Sequence, residues 1–385
     1  GPVSLPTAAS SVFLGHNTKG IEGATNQLVL GFAADSIGAN SVVLGNNSIT
    51  TTALKGNVGI GTTTPGSALQ VVGDIDTDGS YQKGGATILD TDSTLFNTSV
   101  GEGSLSDALL TGTGNTATGY QSLISNSTGS NNTATGNRSL YLNTIGIGNV
   151  ATGHNSMRSN VDGDYNVASG YQSLYQNLGG DYNVATGYRT LYANTAGTSN
   201  LALSREALRF NTVGNYNIAA GYRALYHNVD GSYNVALGSQ NLHENVGGRF
   251  NTASGYQSLY SNISADYNVA AGYQSLFLNQ TGGFNVASGY QALKNNVGGS
   301  YGVAIGYNTL LNSTGSGNVA LGTSTGVGIA LGTYNLAAGY QTFLNADGGY
   351  NIALGYQSAR YQSGGTLELP AADDSIFIGK STHGV

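Results

Sequence analysis

The chain has 385 residues, of which 9% are charged, and its formal net charge of −7 is small for that length. Its Lys and Arg residues form no basic clusters, so we expect no nucleic-acid partner. No run of about 18 apolar residues occurs, so we expect no membrane-spanning segment.

Short strand motifs that end in glycine mark the first stretch of the chain, residues 1–75. They lie at 11–15, 26–31, 40–45 and 57–61. Residues 76–110 are polar and contain Asp76, Asp78 and Asp90, which is typical of a soluble connector.

A fixed period of seventeen residues governs the third stretch, residues 111–312. Glycine holds one slot from Gly119 to Gly306, interrupted only by Ser204, and alanine holds the slot two residues earlier from Ala117 to Ala304. A strict period of this length predicts a stack of nearly identical coils. At roughly 4.8 Å per coil, twelve coils give a rod on the order of 58 Å.

One repeat, residues 165–181, shows how each coil is expected to fold. The residues around Val167 predict a short strand, and Gly170 allows a bend there. We expect a second strand over 173–175 and a turn at Asn177 and the glycine pair that follows. The fold class predicted is therefore all-β, a parallel β-solenoid.

Variation among the repeats indicates which slots face inward. The slot of Leu174 holds leucine in every coil except one, where Met157 stands, so we interpret it as a core position. The slot of Ala168 never changes, and Val167 points to the opposite side of the strand. Because both sides are restricted, we expect a second buried face against another subunit.

Tyrosines provide the candidate ligand contacts. We interpret the Tyr165 and Tyr171 slots as ring ladders that stack coil on coil, whereas for the Tyr175 slot stacking and sugar binding both remain open. The mixed Tyr175 slot is typical of a solvent-facing column. The coil 204–210 is either a decayed repeat or a local recognition patch. The candidate ligand-binding residues are Tyr141, Tyr175, Tyr192, Tyr226, Tyr260, Arg205 and Arg209.

No catalytic, metal-binding or cofactor-binding pattern is evident. None of the five histidines lies in metal-ligand spacing with another ligand type, and we interpret His243 and Glu244 as a surface pair. Asp164 and Asp181 share a slot in successive coils, where paired acids would suit glycan hydrolysis. We interpret them as a solvated turn column and expect no enzyme.

The last stretch, residues 313–385, departs from the regular period. The ten-residue step from Gly322 to Gly332 is too short for a coil, so we expect the array to break after Gly306 and the cross-section to change. The closing motif 375–379 nearly copies 11–15. We therefore expect both ends to be cuts through a longer fibre of reused modules.

The motifs 40–45 and 166–170 resemble the head repeats of trimeric autotransporter adhesins, in which a serine follows the glycine by three residues, as Ser173 does here. The segment 56–65 is similar to a signature of phage-type tail fibres that often precedes an intramolecular chaperone, which this chain does not contain. The resemblance implies an elongated, extracellular homotrimer of left-handed parallel β-rolls that attaches to a cell surface. The period is longer than is usual for those heads, and the slot after alanine is often Ser or Thr.

Three functions therefore remain open. The first is a non-enzymatic fibre that binds a cell-surface polysaccharide or another receptor. The second is a structural shaft whose binding tip lies elsewhere. The third is a spike that depolymerises polysaccharide.

Overall fold

The structure is a computed structural model in which the chain divides into two compact units, Gly1–Thr77 and Asp78–Val385. The described residues are 11–19, 21, 24, 26–37, 42–44, 58–60, 64–65, 67, 69–71, 81–83, 86–92, 95–107, 109–343, 348–359 and 374–381.

Within its described residues, the first unit contains five short strands that pair in parallel. The strands β1 (Val12–Leu14), β2 (Leu28–Leu30) and β3 (Val42–Leu44) form one sheet, and β4 (Val58–Ile60) pairs with β5 (Leu69–Val71). The buried Gln27 ties the loop before β2, because its side-chain amide donates to the carbonyl oxygen of Ala24 at 2.7 Å. Each of the four glycine-ending motifs thus contains a strand, as predicted.

The second unit opens with antiparallel strands and continues as one long parallel ladder. The strands β6 (Tyr81–Lys83), β7 (Ala86–Asp92) and β8 (Asn97–Val100) lie within the stretch interpreted from sequence as a connector, and β8 pairs in parallel with β9. The ladder then consists of β9 (Thr116–Thr118), β10 (Thr133–Thr135), β11 (Val150–Thr152), β12 (Val167–Ser169), β13 (Val184–Thr186), β14 (Leu201–Leu203), β15 (Ile218–Ala220), β16 (Val235–Leu237), β17 (Thr252–Ser254), β18 (Val269–Ala271), β19 (Val286–Ser288), β20 (Val303–Ile305), β21 (Val319–Thr323), β22 (Leu336–Tyr340), β23 (Ile352–Tyr356) and β24 (Ile376–Ile378).

The register of this ladder confirms the seventeen-residue β-solenoid. In the pairing of β12 with β13, Ala168 lies opposite Ala185, which is the equivalent residue one repeat later. The same shift of one repeat relates each pair of neighbouring strands from β9 to β20. We call each set of equivalent residues a column and name it after its member in coil 165–181.

The second strand predicted over 173–175 is wrong. Gln172 and Leu174 have positive φ angles of 53° and 51°, so the backbone curls through a series of turns where a strand would be extended. The turns still bind neighbouring coils, since the Gln172 N–H donates to the His154 carbonyl at 3.0 Å and the Leu174 N–H donates to the Thr190 carbonyl at 2.9 Å. Coil-to-coil hydrogen bonds therefore extend well beyond the three strand residues.

The core of the coils is narrow and partly polar. The Ala168 and Leu174 columns are buried, which confirms the inward orientation predicted for the Leu174 column and the burial predicted for the Ala168 column. Asparagines of the Asn166 and Asn177 columns are buried beside them. Asn166 donates its side-chain amide to the Gly180 carbonyl at 2.8 Å and its backbone N–H to Oδ1 of Asn149 at 2.9 Å. These amides satisfy turn groups that an apolar core would leave unpaired.

The strand ladder continues past Gly306, although the seventeen-residue period ends there as expected. Through β21, β22 and β23 the strand ladder continues, and the end-of-strand glycines proceed from Gly306 to Gly322, Gly339 and Gly355. Gly332 belongs to the Gly180 column, because its carbonyl accepts the side-chain amide of Asn318. The ten-residue step therefore joins glycines of two different columns, and the coils from Ala304 to Ala353 are sixteen or seventeen residues long.

Candidate functional site

The outward side of the strand ladder forms a continuous surface, which we call the strand face. It consists of the Tyr165, Val167, Ser169 and Tyr171 columns, whose side chains alternate with the buried Asn166 and Ala168. Tyr165 is 52% exposed and Val167 is 39% exposed. Alternation along the three-residue strand places the Val167 and Ser169 columns on its solvent-facing side, and the exposed Tyr165 and Tyr171 columns flank the strand at its two ends.

Aromatic rings stack along this face from coil to coil. Tyr165 and Tyr182 have ring centroids 5.3 Å apart, and Tyr171 and Tyr188 have ring centroids 5.5 Å apart, with nearly parallel planes in both pairs. The longest run joins Tyr216, Tyr233, Phe250, Tyr267, Phe284 and Tyr301. The prediction that the Tyr165 and Tyr171 columns stack coil on coil is therefore confirmed.

The strand face carries almost no charge. Within residues 165–307, all of which are described, Arg205 is the one charged side chain among its four columns. Arg205 lies between two rings of the Tyr171 column, with its guanidinium carbon 5.6 Å from the Tyr188 centroid and 5.8 Å from the Tyr222 centroid. The face is therefore rich in aromatic rings and almost free of charge over residues 165–307.

A second surface, which we call the amide–aromatic face, consists of the Gln172 and Tyr175 columns. Gln257 donates its side-chain amide to Oε1 of Gln240 at 3.0 Å, and Gln274 donates to Oε1 of Gln257 at 2.9 Å. Arginines replace glutamine in several coils and lie over the neighbouring rings; the Arg223 guanidinium is 5.0 Å from the Tyr226 centroid. This face therefore combines ordered amides, guanidinium groups and rings.

The five tyrosines predicted as ligand contacts all lie in the Tyr175 column and are all half-buried. Tyr175 and Tyr192 stack with ring centroids 5.0 Å apart, so stacking occurs in this column as well. The five rings are less exposed than those of the strand face. They are Tyr141, Tyr175, Tyr192, Tyr226 and Tyr260.

The two predicted arginines lie on different surfaces. Arg205 is on the strand face, whereas Arg209 is in the Tyr175 column and donates to Oε1 of Glu206 at 2.8 Å and to the Tyr226 hydroxyl at 3.1 Å. Glu206 also accepts from Arg223 at 2.7 Å. The coil 204–210 therefore forms an internal ion-pair network with its neighbour.

Glu206 is the buried centre of that network, with its side chain 5% exposed. Burial by itself raises the pKa of its carboxyl group. The hydrogen bond from Arg223 and the positive charges of Arg223, Arg209 and Arg205 outweigh burial, so the pKa lies below its usual value. The carboxylate thus stays ionised and holds two arginines in place.

A histidine cluster lies next to this network and was missed by the sequence analysis. His227 and His243 each place Nδ1 against Glu244, at 2.6 Å from Oε2 and 2.7 Å from Oε1. His243 is only 6% exposed, so the interpretation of His243 and Glu244 as a surface pair is wrong for the histidine. The relevant signal was the period, because His227 and Glu244 are equivalent residues in successive coils.

Aromatic rings enclose His243. It stacks between Tyr226 and Tyr260, with ring centroids 5.0 Å and 4.8 Å away. Burial lowers the pKa of the His243 imidazole by more than the carboxylate of Glu244 raises it, so the ring is neutral at neutral pH. Burial raises the pKa of the Glu244 carboxyl group. The hydrogen bonds from His227 and His243 outweigh burial, so the pKa lies below its usual value and the group is ionised.

The carboxylates of Asp164 and Asp181 bind the backbone of the preceding coil. Asp164 accepts from the Ile147 N–H at 2.7 Å, and Asp181 accepts from the Asp164 N–H at 2.8 Å. These contacts support the interpretation of the two residues as a turn column.

Comparison of the chain with family models, with curated proteins and with solved structures gives no significant match. Within the described residues, no helix has the length and hydropathy needed to cross a bilayer.

Proposed function

We propose that this chain is a non-enzymatic, homotrimeric fibre segment that attaches to a cell surface by binding a surface polysaccharide. The observation that carries the proposal is the division between a strand face with one charged side chain over residues 165–307 and an amide–aromatic face that recurs in many coils. The first surface suits contact with copies of the same chain, and the second suits an extended polar ligand.

The amide–aromatic face has the chemistry that sugars require. A half-exposed tyrosine offers an apolar ring surface and a polar hydroxyl, and the adjacent glutamine column supplies amide donors and acceptors. The amides are ordered by their ladder before any ligand arrives, which reduces the entropy lost on binding. Recurrence in many coils raises the avidity for a polymer that contacts several coils at once.

The strand face has the composition of a subunit interface. Interface cores are depleted in charged residues and enriched in tyrosine, as this surface is. Its valine and tyrosine columns extend over many coils, which gives a larger apolar patch than monomeric proteins usually expose. The likeness of the repeats to those of trimeric adhesin heads supports three copies, an extracellular location and a left-handed coil.

The experiment is attachment of the assembled protein to target cells and to an array of surface polysaccharides. The test variant replaces Tyr175, Tyr192 and Tyr260 with serine. Because aromatic stacking contributes roughly 0.5–1.5 kcal/mol per ring, we expect attachment to fall at least about tenfold.

The matched control replaces three side chains from the same three coils, two of them exposed and one, Thr195, half-buried. Leu178, Thr195 and Ile263 lie outside both faces, and their replacement with serine should leave attachment unchanged. Circular dichroism and light scattering check that both variants keep the fold and mass of the parent. If the tyrosine variant attaches as well as the parent, the fragment is a structural shaft, which the stacked and half-buried Tyr175 column also suits.

A further inference from the structure

The histidine cluster brings three metal-ligating side chains together from two successive coils. One ligand atom from each of His227, His243 and Glu244 lies within 4.8 Å of the other two. His227 and Glu244 occupy the Gln176 column one repeat apart, and His243 precedes Glu244 in the chain. The close approach is therefore a product of coil stacking.

One nitrogen of this cluster is buried without a partner. His243 Nδ1 faces Oε1 of Glu244 at 2.7 Å, so Nδ1 is the ligand atom that His243 turns toward the cluster. Nε2 is shielded from solvent and has no hydrogen-bond partner. Nε2 lies on the other side of the ring from Glu244, so the ligand atoms that converge are Nδ1 of His227, Nδ1 of His243 and the carboxylate oxygens of Glu244.

We propose that His227, His243 and Glu244 form a binding site for one transition-metal ion of the zinc class. Two imidazoles and one carboxylate make a ligand set typical of zinc, whereas calcium and magnesium prefer oxygen ligands only. His227 and Glu244 have side chains 41% and 38% exposed, so the ion can enter from solvent and a water molecule can complete its coordination. This site is independent of the proposed adhesive function.

The surrounding structure fixes the positions of the ligands and partly neutralises the nearby positive charge. The His227 N–H donates to the His243 carbonyl at 2.9 Å, and the Glu244 N–H donates to the Tyr260 carbonyl at 2.9 Å, so neighbouring coils fix all three backbones. Arg223 opposes a cation near the site, but its guanidinium is paired with Glu206 at 2.7 Å. A bound ion would join coil 216–232 to coil 233–249 through side chains.

The test is metal binding by the full chain, purified without a histidine tag and treated with a chelator. Calorimetric titration with Zn²⁺ should give one ion per chain with a dissociation constant in the micromolar range or below. Addition of Co²⁺ should produce the visible absorption bands that are typical of Co²⁺ with fewer than six ligands. His227→Gln and Glu244→Gln should each weaken binding at least about tenfold, since each removes one of three ligands.

The matched control is His154→Gln, which removes an exposed histidine that also stacks on a tyrosine, Tyr171, with ring centroids 5.4 Å apart. Its metal binding should equal that of the parent. The proposal is overturned if the parent binds Zn²⁺ only at millimolar concentrations or gives no such Co²⁺ spectrum. It is also overturned if a folded His227→Gln, Glu244→Gln double variant retains the affinity of the parent. Circular dichroism of each variant establishes that it is folded.

Discussion

Asn177 donates its buried side-chain amide to Oδ1 of Asn160, the equivalent residue one coil earlier, at 2.7 Å. The same amide also donates to the Gly180 carbonyl at 2.7 Å, within its own turn. Each asparagine of this column therefore closes a turn and joins two coils. The ladder lies inside the protein, where water cannot replace a hydrogen-bond donor that is removed.

We expect Asn177→Asp to destabilise the array by about 2–4 kcal/mol, because it removes two donated hydrogen bonds and places an acid in a buried site. Urea unfolding followed by circular dichroism measures the change. Gln176→Glu is the control, since it makes the same amide-to-acid change at the neighbouring exposed position. Equal stability of the two variants would contradict a structural role for the buried ladder.

The glycine that ends each strand is required by both its backbone angle and its surroundings. Gly170 has a φ of 134°, and an added Cβ would lie 2.4 Å from the Gly187 carbonyl oxygen. We expect Gly170→Ala to cost about 2–4 kcal/mol in thermal or urea unfolding, because backbone strain and a rigid clash act together.

The control for this change is Gly179→Ala. An added Cβ there meets only the end of the flexible Asp162 side chain, at 2.7 Å, and the backbone is outside the left-handed region. Its unfolding free energy should stay within about 1 kcal/mol of the parent. A similar loss of stability in both alanine variants would show that the positive φ of Gly170 does not by itself require glycine.

The ion-pair network of Glu206 should make stability depend on pH. Because the folded-state pKa of Glu206 is lowered, its contribution is fully present above the ordinary value of 4.5 and is lost as the pH falls through the lower folded-state pKa. Glu206→Gln keeps the side-chain shape, and glutamine is the usual residue of this column. We expect it to be about 1–3 kcal/mol less stable than the parent at neutral pH.

The measurement is urea unfolding of the parent and of Glu206→Gln at a series of pH values. The difference between the two should shrink as the pH falls below 4.5, while the remaining carboxyl groups affect both proteins alike. Gln274→Glu places an acid in the same column between two glutamines, Gln257 and Gln291, and serves as the control. A difference that does not change with pH would exclude an ionic role for Glu206.

The proposed homotrimer should depend on the strand face. Light scattering of the parent should give three times the chain mass of 39.2 kDa. Replacing Val167 and Val184 with lysine should reduce the mass to that of one chain, because charges are costly in an apolar interface. Replacement of both with threonine, which Thr133 and Thr252 show to be acceptable in this column, should preserve the assembly. A monomeric parent, or a trimer that survives both lysines, would refute the interface.

The repeat period by itself determined the fold class and the two core columns. A residue that recurs at a fixed interval in every coil must meet its own copies, so the constancy of Ala168 and of the Leu174 column was enough to predict a buried stack. The period also relates residues in columns that the sequence analysis did not compare. Comparing residues seventeen apart also joins Asn160 to Asn177 and His227 to Glu244, and both pairs are in contact.

Only the tertiary structure decided how the backbone turns between strands and which columns face solvent. The residues 173–175 have side chains compatible with a strand, but Leu174 adopts a positive φ because the turns on either side must return the chain to the next coil. The coil also tolerates sixteen residues, as the step from Ala304 to Ala320 shows, so the ladder continues where the period in the sequence fails. The turn conformations and the coil lengths depend on how each coil closes around the narrow core. This constraint acts on a whole coil, so it does not require a particular residue at any one position.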